Sequence, residues 1–215
     1  MFEKQQTLMV VLLILVSSSS FSANCIYAQD DAQKKMINVD PATIKFKDDV
    51  KTNAIPPDSV EQLSFVDTKG NRIAVSKFKG KKNVIIVFTE GFNKMLCPFC
   101  KTQISRLVAN YDKFKKVDTQ ILVVYPGGTE HLQEFIDAAK TIDKEQVDAV
   151  PFPIVLDQNF TATDFFRIRS KQAHPSTYII NKAGEVCLSY VGADMTADRP
   201  SVKALLKRIR EENNN

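Results

Sequence analysis

A three-layer α/β domain with a mixed central sheet is the fold class this sequence predicts. Three observations carry it. The runs Val84–Phe88 and Ile121–Tyr125 are wholly apolar, as expected for strands covered on both faces. Segments of helical spacing separate the apolar runs, which is how parallel strands are connected. Two Gly-containing turns, Lys69-Gly70-Asn71 and Lys182-Ala183-Gly184, lie between short strand patterns and predict hairpins, so the sheet also holds antiparallel pairs.

The elements follow in order. Leu63–Asp67 and Arg72–Val75 form the first hairpin, and Gly80 ends the next turn. Val84–Phe88 is the first buried strand. Ile104, Leu107, Val108, Tyr111 and Phe114 then repeat at helical spacing. Ile121–Tyr125 is the second buried strand, closed by Pro126-Gly127-Gly128. Leu132, Phe135, Ile136 and Ala139 mark another helix, with Thr129 the expected N-cap. Phe152–Leu156 is a short strand and Phe160–Ile168 a short helix. Thr177–Ile180 and Val186–Val191 flank the second hairpin turn. A last helix spans about Arg199–Arg210, with Val202, Leu205, Leu206 and Ile209 on one face.

The chain has 215 residues, 44% hydrophobic and 25% charged, an ordinary globular composition with material for one real core. The net charge of +4 is too small to argue for nucleic acid, and the Lys77, Lys79, Lys81 and Lys82 cluster is expected to be a solvated turn. Leu8–Val16 is an unbroken apolar run followed by Ser17-Ser18-Ser19-Ser20. Its length suits a signal-peptide core and falls far short of the ~20 residues that span a bilayer. The expected division is a signal peptide over 1–28, a polar leader over 29–56, a domain over 57–212 and a disordered tail over 213–215. Export to the periplasm or the medium follows. A cut after Ala28 removes Cys25, whose neighbour Asn24 suits lipidation poorly; Cys97, Cys100 and Cys187 remain.

Cys97-Pro98-Phe99-Cys100 is the most informative motif. It lies between an apolar strand and a helical pattern, where a C-x-x-C pair points to redox chemistry. Cys97 falls at the helix N-terminus, where backbone N–H groups and the macrodipole favour a thiolate. Pro98 suits the first helical position, because its missing N–H has no partner to lose there. Cys100 lies one turn on. Helical spacing sets the two Cα atoms roughly 5 Å apart, within disulfide reach. Cys187, on the last strand, is expected to be a buried structural thiol.

Residues 59–212 resemble a thioredoxin-fold protein, and more narrowly the alkyl hydroperoxide reductase/thiol-specific antioxidant (redoxin) family. The carrying segments are Phe65-Val66-Asp67 with Gly70, Val84–Phe88, Cys97-Pro98-Phe99-Cys100-Lys101, and Ala173-His174-Pro175-Ser176-Thr177-Tyr178-Ile179-Ile180-Asn181 with Gly184. The resemblance implies a thioredoxin-like α/β/α fold and a cis Pro175 facing the cysteine pair. It also implies that His174, Ser176 and Phe99 border the substrate. No organic cofactor is implied. The implied partners are thiol or disulfide proteins or small thiols, with another dithiol protein as electron donor, and a homodimer is common in the family.

Three reactions compete. In thiol–disulfide exchange, Cys97 attacks and Cys100 resolves. Lys94, Lys101 and His174 are then candidates for positive potential beside the thiolate. In peroxide reduction, Cys97 passes through a sulfenic acid. Lys94 stands where peroxiredoxins carry Thr or Ser, Glu90 where they carry Pro, and Pro175 where their activating arginine aligns; Arg167 or Arg169 is the available substitute. In copper delivery, Cys97, Cys100 and His174 act as a soft ligand set. Thiol–disulfide exchange is the expected activity.

Overall fold

The computed structural model describes residues 39–142 and 145–214. The expected signal peptide, Cys25, the first part of the leader and Asn215 lie outside them. No helix among the described residues is long and apolar enough to cross a membrane.

The strands are β1 (Ser64–Asp67), β2 (Arg72–Ala74), β3 (Asn83–Phe88), β4 (Thr119–Pro126), β5 (Thr141–Ile142), β6 (Glu145–Gln146), β7 (Ile154–Asp157), β8 (Ser176–Ile180) and β9 (Val186–Val191). The helices are α1 (Pro98–Ala109), α2 (Tyr111–Lys115), α3 (Leu132–Lys140), α4 (Thr161–Phe165) and α5 (Val202–Asn214). Seven strands form one sheet in the order β2-β1-β7-β4-β3-β8-β9, with β5 and β6 a separate ladder. The β3–β4 and β4–β7 pairs are parallel; β3–β8, β8–β9, β1–β2 and β1–β7 are antiparallel.

The two faces of the sheet bury different sets. Ile85, Val87, Ile121, Val123 and Ile179 meet Ile104 and Leu107 of α1, Phe135 of α3, and Leu205 and Ile209 of α5. The alternate residues Val84, Ile86, Phe88, Leu122, Val124 and Tyr178 meet Ala162 of α4, Phe166 and the Phe65–Ile73 hairpin. This is the alternation a strand imposes, applied to residues apolar on both faces. The expected three layers are present but unequal, with the longer helices on one face.

Four boundaries differ from expectation. The helical spacing from Ile104 to Phe114 breaks at Asn110, which leaves helical geometry (φ −112°, ψ 12°) and divides α1 from α2. Thr129 does not cap α3; His131 holds that position, and Thr129 contributes its carbonyl to a turn with the Leu132 N–H. The last helix starts at Val202, because the Ser201 hydroxyl accepts from the Ala204 N–H as an N-cap. Arg199 is therefore left in a loop. Asn213 and Asn214 close that helix instead of forming a loose tail: the Asn83 amide donates to Asn213 Oδ1 at 2.9 Å.

The described part of the leader packs against the domain. The Asn53 N–H donates to Ser189 O at 3.0 Å, and the Val191 N–H to Asn53 Oδ1 at 2.8 Å, so the leader covers the outer edge of β9. The Arg106 guanidinium donates to the carbonyls of Pro41 and Ile44.

Candidate active site

The site lies at the carboxyl end of the parallel strands, where open α/β sheets place their chemistry. β3 ends at Phe88. Thr89 bonds back to Val124 O, which turns Glu90 inward at the end of the strand. The chain then loops through Gly91–Leu96, and Cys97 becomes the N-cap of α1 with Pro98 at the first position, as the motif predicts. Cys100 follows one turn on.

Neither sulfur is open to solvent. Cys97 is 2% exposed and Cys100 3%. Both are free thiols, and Glu90 and Arg199 complete the group. Arg199 Nη2 lies 2.6 Å from Glu90 Oε1, 3.6 Å from Cys97 Sγ and 3.5 Å from Cys100 Sγ. Cys97 Sγ lies 3.1 Å from Glu90 Oε1, and the Glu90 N–H points at Cys100 Sγ at 3.4 Å. The Met195 N–H donates to the same carboxylate oxygen at 2.9 Å. One carboxylate, one guanidinium and two sulfurs thus share one buried space.

The hydrogen bonds assign the protons. Cys97 Sγ has the carboxylate oxygen, which only accepts, at 3.1 Å and the guanidinium at 3.6 Å; the nearer acceptor favours the protonated sulfur. Cys100 Sγ faces the Glu90 N–H and the guanidinium, which only donate, at 3.4 and 3.5 Å, with the carboxylate oxygen farther off at 4.0 Å, so it favours the ionised form. The hydrogen bond between the two sulfurs, then burial and the Glu90 charge, push the Cys97 thiol up. Burial opposes ionisation of Cys100, but the hydrogen bond from Cys97, the Arg199 charge and the Glu90 N–H outweigh it and lower it. The helix-start geometry at Cys97 is as expected, but the stabilised thiolate resides on Cys100. The hydrogen bond between the two sulfurs is the first physical reason, and the carboxylate, nearer to Cys97, adds to it. Burial works against the charge on Arg199; the two sulfurs and Glu90 outweigh it and hold the guanidinium protonated.

The other expected residues are placed differently. The described residues contain no cis peptide bond, so Pro175 is trans. Its carbonyl accepts from the Gly192 N–H at 2.8 Å and ties the start of β8 to the end of β9. His174 Nδ1 lies 2.7 Å from Asp194 Oδ1, and this partner replaces the sulfur pair toward which the ring was expected to point. Ser176 is buried, with its hydroxyl donating to His174 O at 2.9 Å, so it offers nothing to a substrate in this arrangement. Phe99 is half-buried against the cysteine cluster, with the Arg199 guanidinium 5.7 Å from its ring centre. Lys94 is exposed, and Lys101 bonds through its N–H to Cys97 O as the helix requires. Arg167 is exposed; Arg169 pairs with Asp164. Cys187 is half-buried, and burial with Glu212 nearby pushes its thiol up to about 11.

The donor atoms of Glu90, Cys97 and Cys100 lie within 4.8 Å of one another. His174 is not part of this set. The set does not suit a metal cation, because Arg199 already holds the carboxylate oxygen and lies against both sulfurs.

Sequence reasoning missed Glu90 and Arg199 as site residues. The signals were available. An acid two residues past a wholly apolar run, seven positions before a cysteine, has reason to be held inward. Pro200-Ser201 is a helix-start signal that leaves Arg199 outside the helix.

The family model that matches residues 53–189 is that of the AhpC/TSA family. The chain belongs to the AhpC/TSA family. Among solved structures, the peroxidoxin BcpB from Mycobacterium tuberculosis aligns with a TM-score of 0.58 at 16% identity, over 74% of this chain and 98% of that one. The Xanthomonas campestris bacterioferritin comigratory protein, studied for alkyl peroxide reduction, aligns at 0.55 and 18%, over 75% and 97%. A yeast mitochondrial 1-Cys peroxiredoxin, resolved through glutathione/thioredoxin systems, aligns at 0.58 and 15%, over 74% and 76%. At these identities the likeness concerns the fold, which is thioredoxin-like. No match was found among curated proteins.

Proposed function

We propose that this AhpC/TSA-family chain is a dithiol oxidoreductase that reduces disulfides of proteins or small thiols and closes a Cys97–Cys100 disulfide in doing so. The observation that carries the reading is the buried quartet. Two sulfurs in bonding reach share one carboxylate and one guanidinium, so either sulfur can hold negative charge in turn.

The steps balance as follows. Glu90 Oε1 takes the Cys97 proton as the sulfur attacks one sulfur of the substrate disulfide. The substrate S–S bond breaks, a Cys97 mixed disulfide forms, and the first substrate thiolate leaves and takes its proton from solvent. Cys100 thiolate then attacks Cys97 Sγ, the mixed disulfide breaks, and the second substrate thiol departs with the proton from Glu90. Two electrons have passed to the substrate. A donor dithiol protein returns them by the reverse exchange. Arg199 stabilises the thiolate at each stage without moving a proton.

A Cys100→Ser variant tests this. Mixed with a disulfide substrate, it is expected to accumulate an adduct on Cys97 visible by mass spectrometry. Absence of any Cys97 adduct overturns the proposal.

Arg199 also favours a second reading, peroxide reduction. The sequence placed no arginine where the family's activating one aligns, yet Arg199 brings a guanidinium to 3.6 Å from Cys97 Sγ from a different part of the chain. There Glu90 Oε1 takes the Cys97 proton as the sulfur attacks a peroxide oxygen, the O–O bond breaks, and the alkoxide leaves with that proton. Cys100 then condenses with the sulfenic acid, releasing water. Peroxide consumption no faster than that of a free thiol excludes this reading. The Leu8–Val16 run further supports export, and N-terminal sequencing of the mature protein tests that: a chain beginning at Met1 overturns it.

A further inference from the structure

Both sulfurs are shielded, so a substrate reaches them only after something moves. The cover is residues 192–199, the loop from the end of β9 toward α5. Met195 packs against the cluster that holds Cys97 and Cys100, and Arg199 is 1% exposed. Met195 sits at φ 52°, a left-handed conformation that side chains disfavour, and its N–H is held by Glu90. A Cβ on Gly192 would come within 2.0 Å of Asp198 O, so the loop also folds tightly on itself.

The cover is tied down from outside the site by the leader and by Tyr190 of β9, whose hydroxyl donates to Asp198 Oδ1 at 2.5 Å. Lys47 Nζ lies 2.6 Å from Asp198 Oδ1 and 2.9 Å from Tyr190 Oη. The Lys47 N–H donates to Arg199 O at 2.8 Å, and the Ser201 N–H to Lys47 O at 2.8 Å. Lys47 therefore grips both ends of the turn that delivers Arg199. The next leader residue, Asp48, accepts from Ser201 Oγ and Lys203 Nζ at the start of α5, beyond the cover in sequence.

We infer that Lys47 is a positioning residue: it clamps the 192–199 cover over the Cys97–Cys100 pair and seats Arg199 there, so the leader sets how often the dithiol is open to a substrate. The inference rests on that dithiol being the reacting pair. Alkylation reads its access without turnover, so the two ideas fail separately.

Alkylation of a shielded thiol tracks the open population when closing is fast. In the reduced full-length chain, iodoacetamide and a bulky maleimide are applied, and Cys97, Cys100 and Cys187 are read by mass spectrometry. Lys47→Met is expected to speed modification of Cys97 and Cys100 about fivefold, the worth of one partly exposed ion pair, and to leave Cys187 unchanged. Lys47→Arg restores the slow rate. Asp198→Asn removes the charge that Lys47 pairs with, together with the carboxylate acceptor of Tyr190 Oη and the Ala193 N–H; it gives at least the same rise and keeps the test usable if Lys47→Met folds poorly. Lys203→Met breaks a leader ion pair that does not reach the cover, and stays at the original rate. The inference is overturned if Lys47→Met and Asp198→Asn react at the original rate. It is equally overturned if Lys203→Met or Cys187 speeds up as much, since that marks general loosening.

Discussion

Replacing Arg199 by Met probes the site most sharply. The guanidinium is 1% exposed, and its partner Glu90 is 11% exposed at the side chain, so water replaces little of what is lost. Removing one member of a buried ion pair costs about 3–5 kcal/mol, mostly because the other charge is stranded. Here two groups are stranded, the Glu90 carboxylate and the Cys100 sulfur. A domain of this size loses about 2–4 °C of melting temperature per kcal/mol, so Arg199→Met is expected to melt about 6–20 °C lower. Glu90→Gln keeps an acceptor for the Met195 N–H and removes the charge. The double variant should recover much of the loss, with a coupling of about 2 kcal/mol or more in a double-mutant cycle. Calorimetry on the four proteins measures this. Thiolate absorbance against pH gives a second readout: the first thiol ionisation moves to higher pH in Arg199→Met, since the cation favours the charged form. Strictly additive losses, or an unmoved ionisation, refute the shared quartet.

Three further outcomes follow from the same structure. Asp157 Oδ1 and Oδ2 accept the N–H groups of Ala162 and Thr163 at the buried start of α4, and the Thr163 hydroxyl bonds Oδ2 at 2.6 Å; Asp157→Ala should lower stability by about 2–3 kcal/mol in urea denaturation. Burial opposes ionisation of Asp198, but its bonds from Lys47, Tyr190 and the Ala193 N–H outweigh it and hold the carboxyl below its ordinary value. A carboxyl lowered on folding stabilises above the unfolded value, about pH 4, and loses that contribution as pH falls through the lowered one. Asp198→Asn should therefore flatten stability below about pH 4 and leave its pH dependence near neutrality unchanged. Cys187, pushed up to about 11 from 9.0, should alkylate at neutral pH about 100-fold more slowly than free cysteine; an ordinary rate contradicts its burial.

The sequence made the scaffold legible where local pattern and tertiary demand agree. Val84–Phe88 and Ile121–Tyr125 are apolar at every position, short and rich in β-branched residues, the pattern of a doubly covered strand. The cysteine pair was legible for a similar reason, since its spacing, Pro98 and the preceding strand all specify a helix start. The shared site was less legible because its charges come from opposite ends of the domain. Glu90 and Arg199 are 109 positions apart and meet only after β3 and β9 take their places in one sheet. Periodicity read Arg199 as the first residue of a helix, whereas Ser201 caps that helix and frees Arg199 to turn inward. The family resemblance carried Pro175 into the site as a cis residue, while its trans bond and the Gly192 tie assign it to the scaffold. The same long-range logic explains the ionisation. A helix terminus gives Cys97 a modest pull toward the thiolate, and that was visible in sequence. The hydrogen bond with Cys100, burial and a carboxylate 3.1 Å away oppose it, and together they outweigh both that pull and the Arg199 charge. Which sulfur is ionised is therefore decided by the fold rather than by the motif.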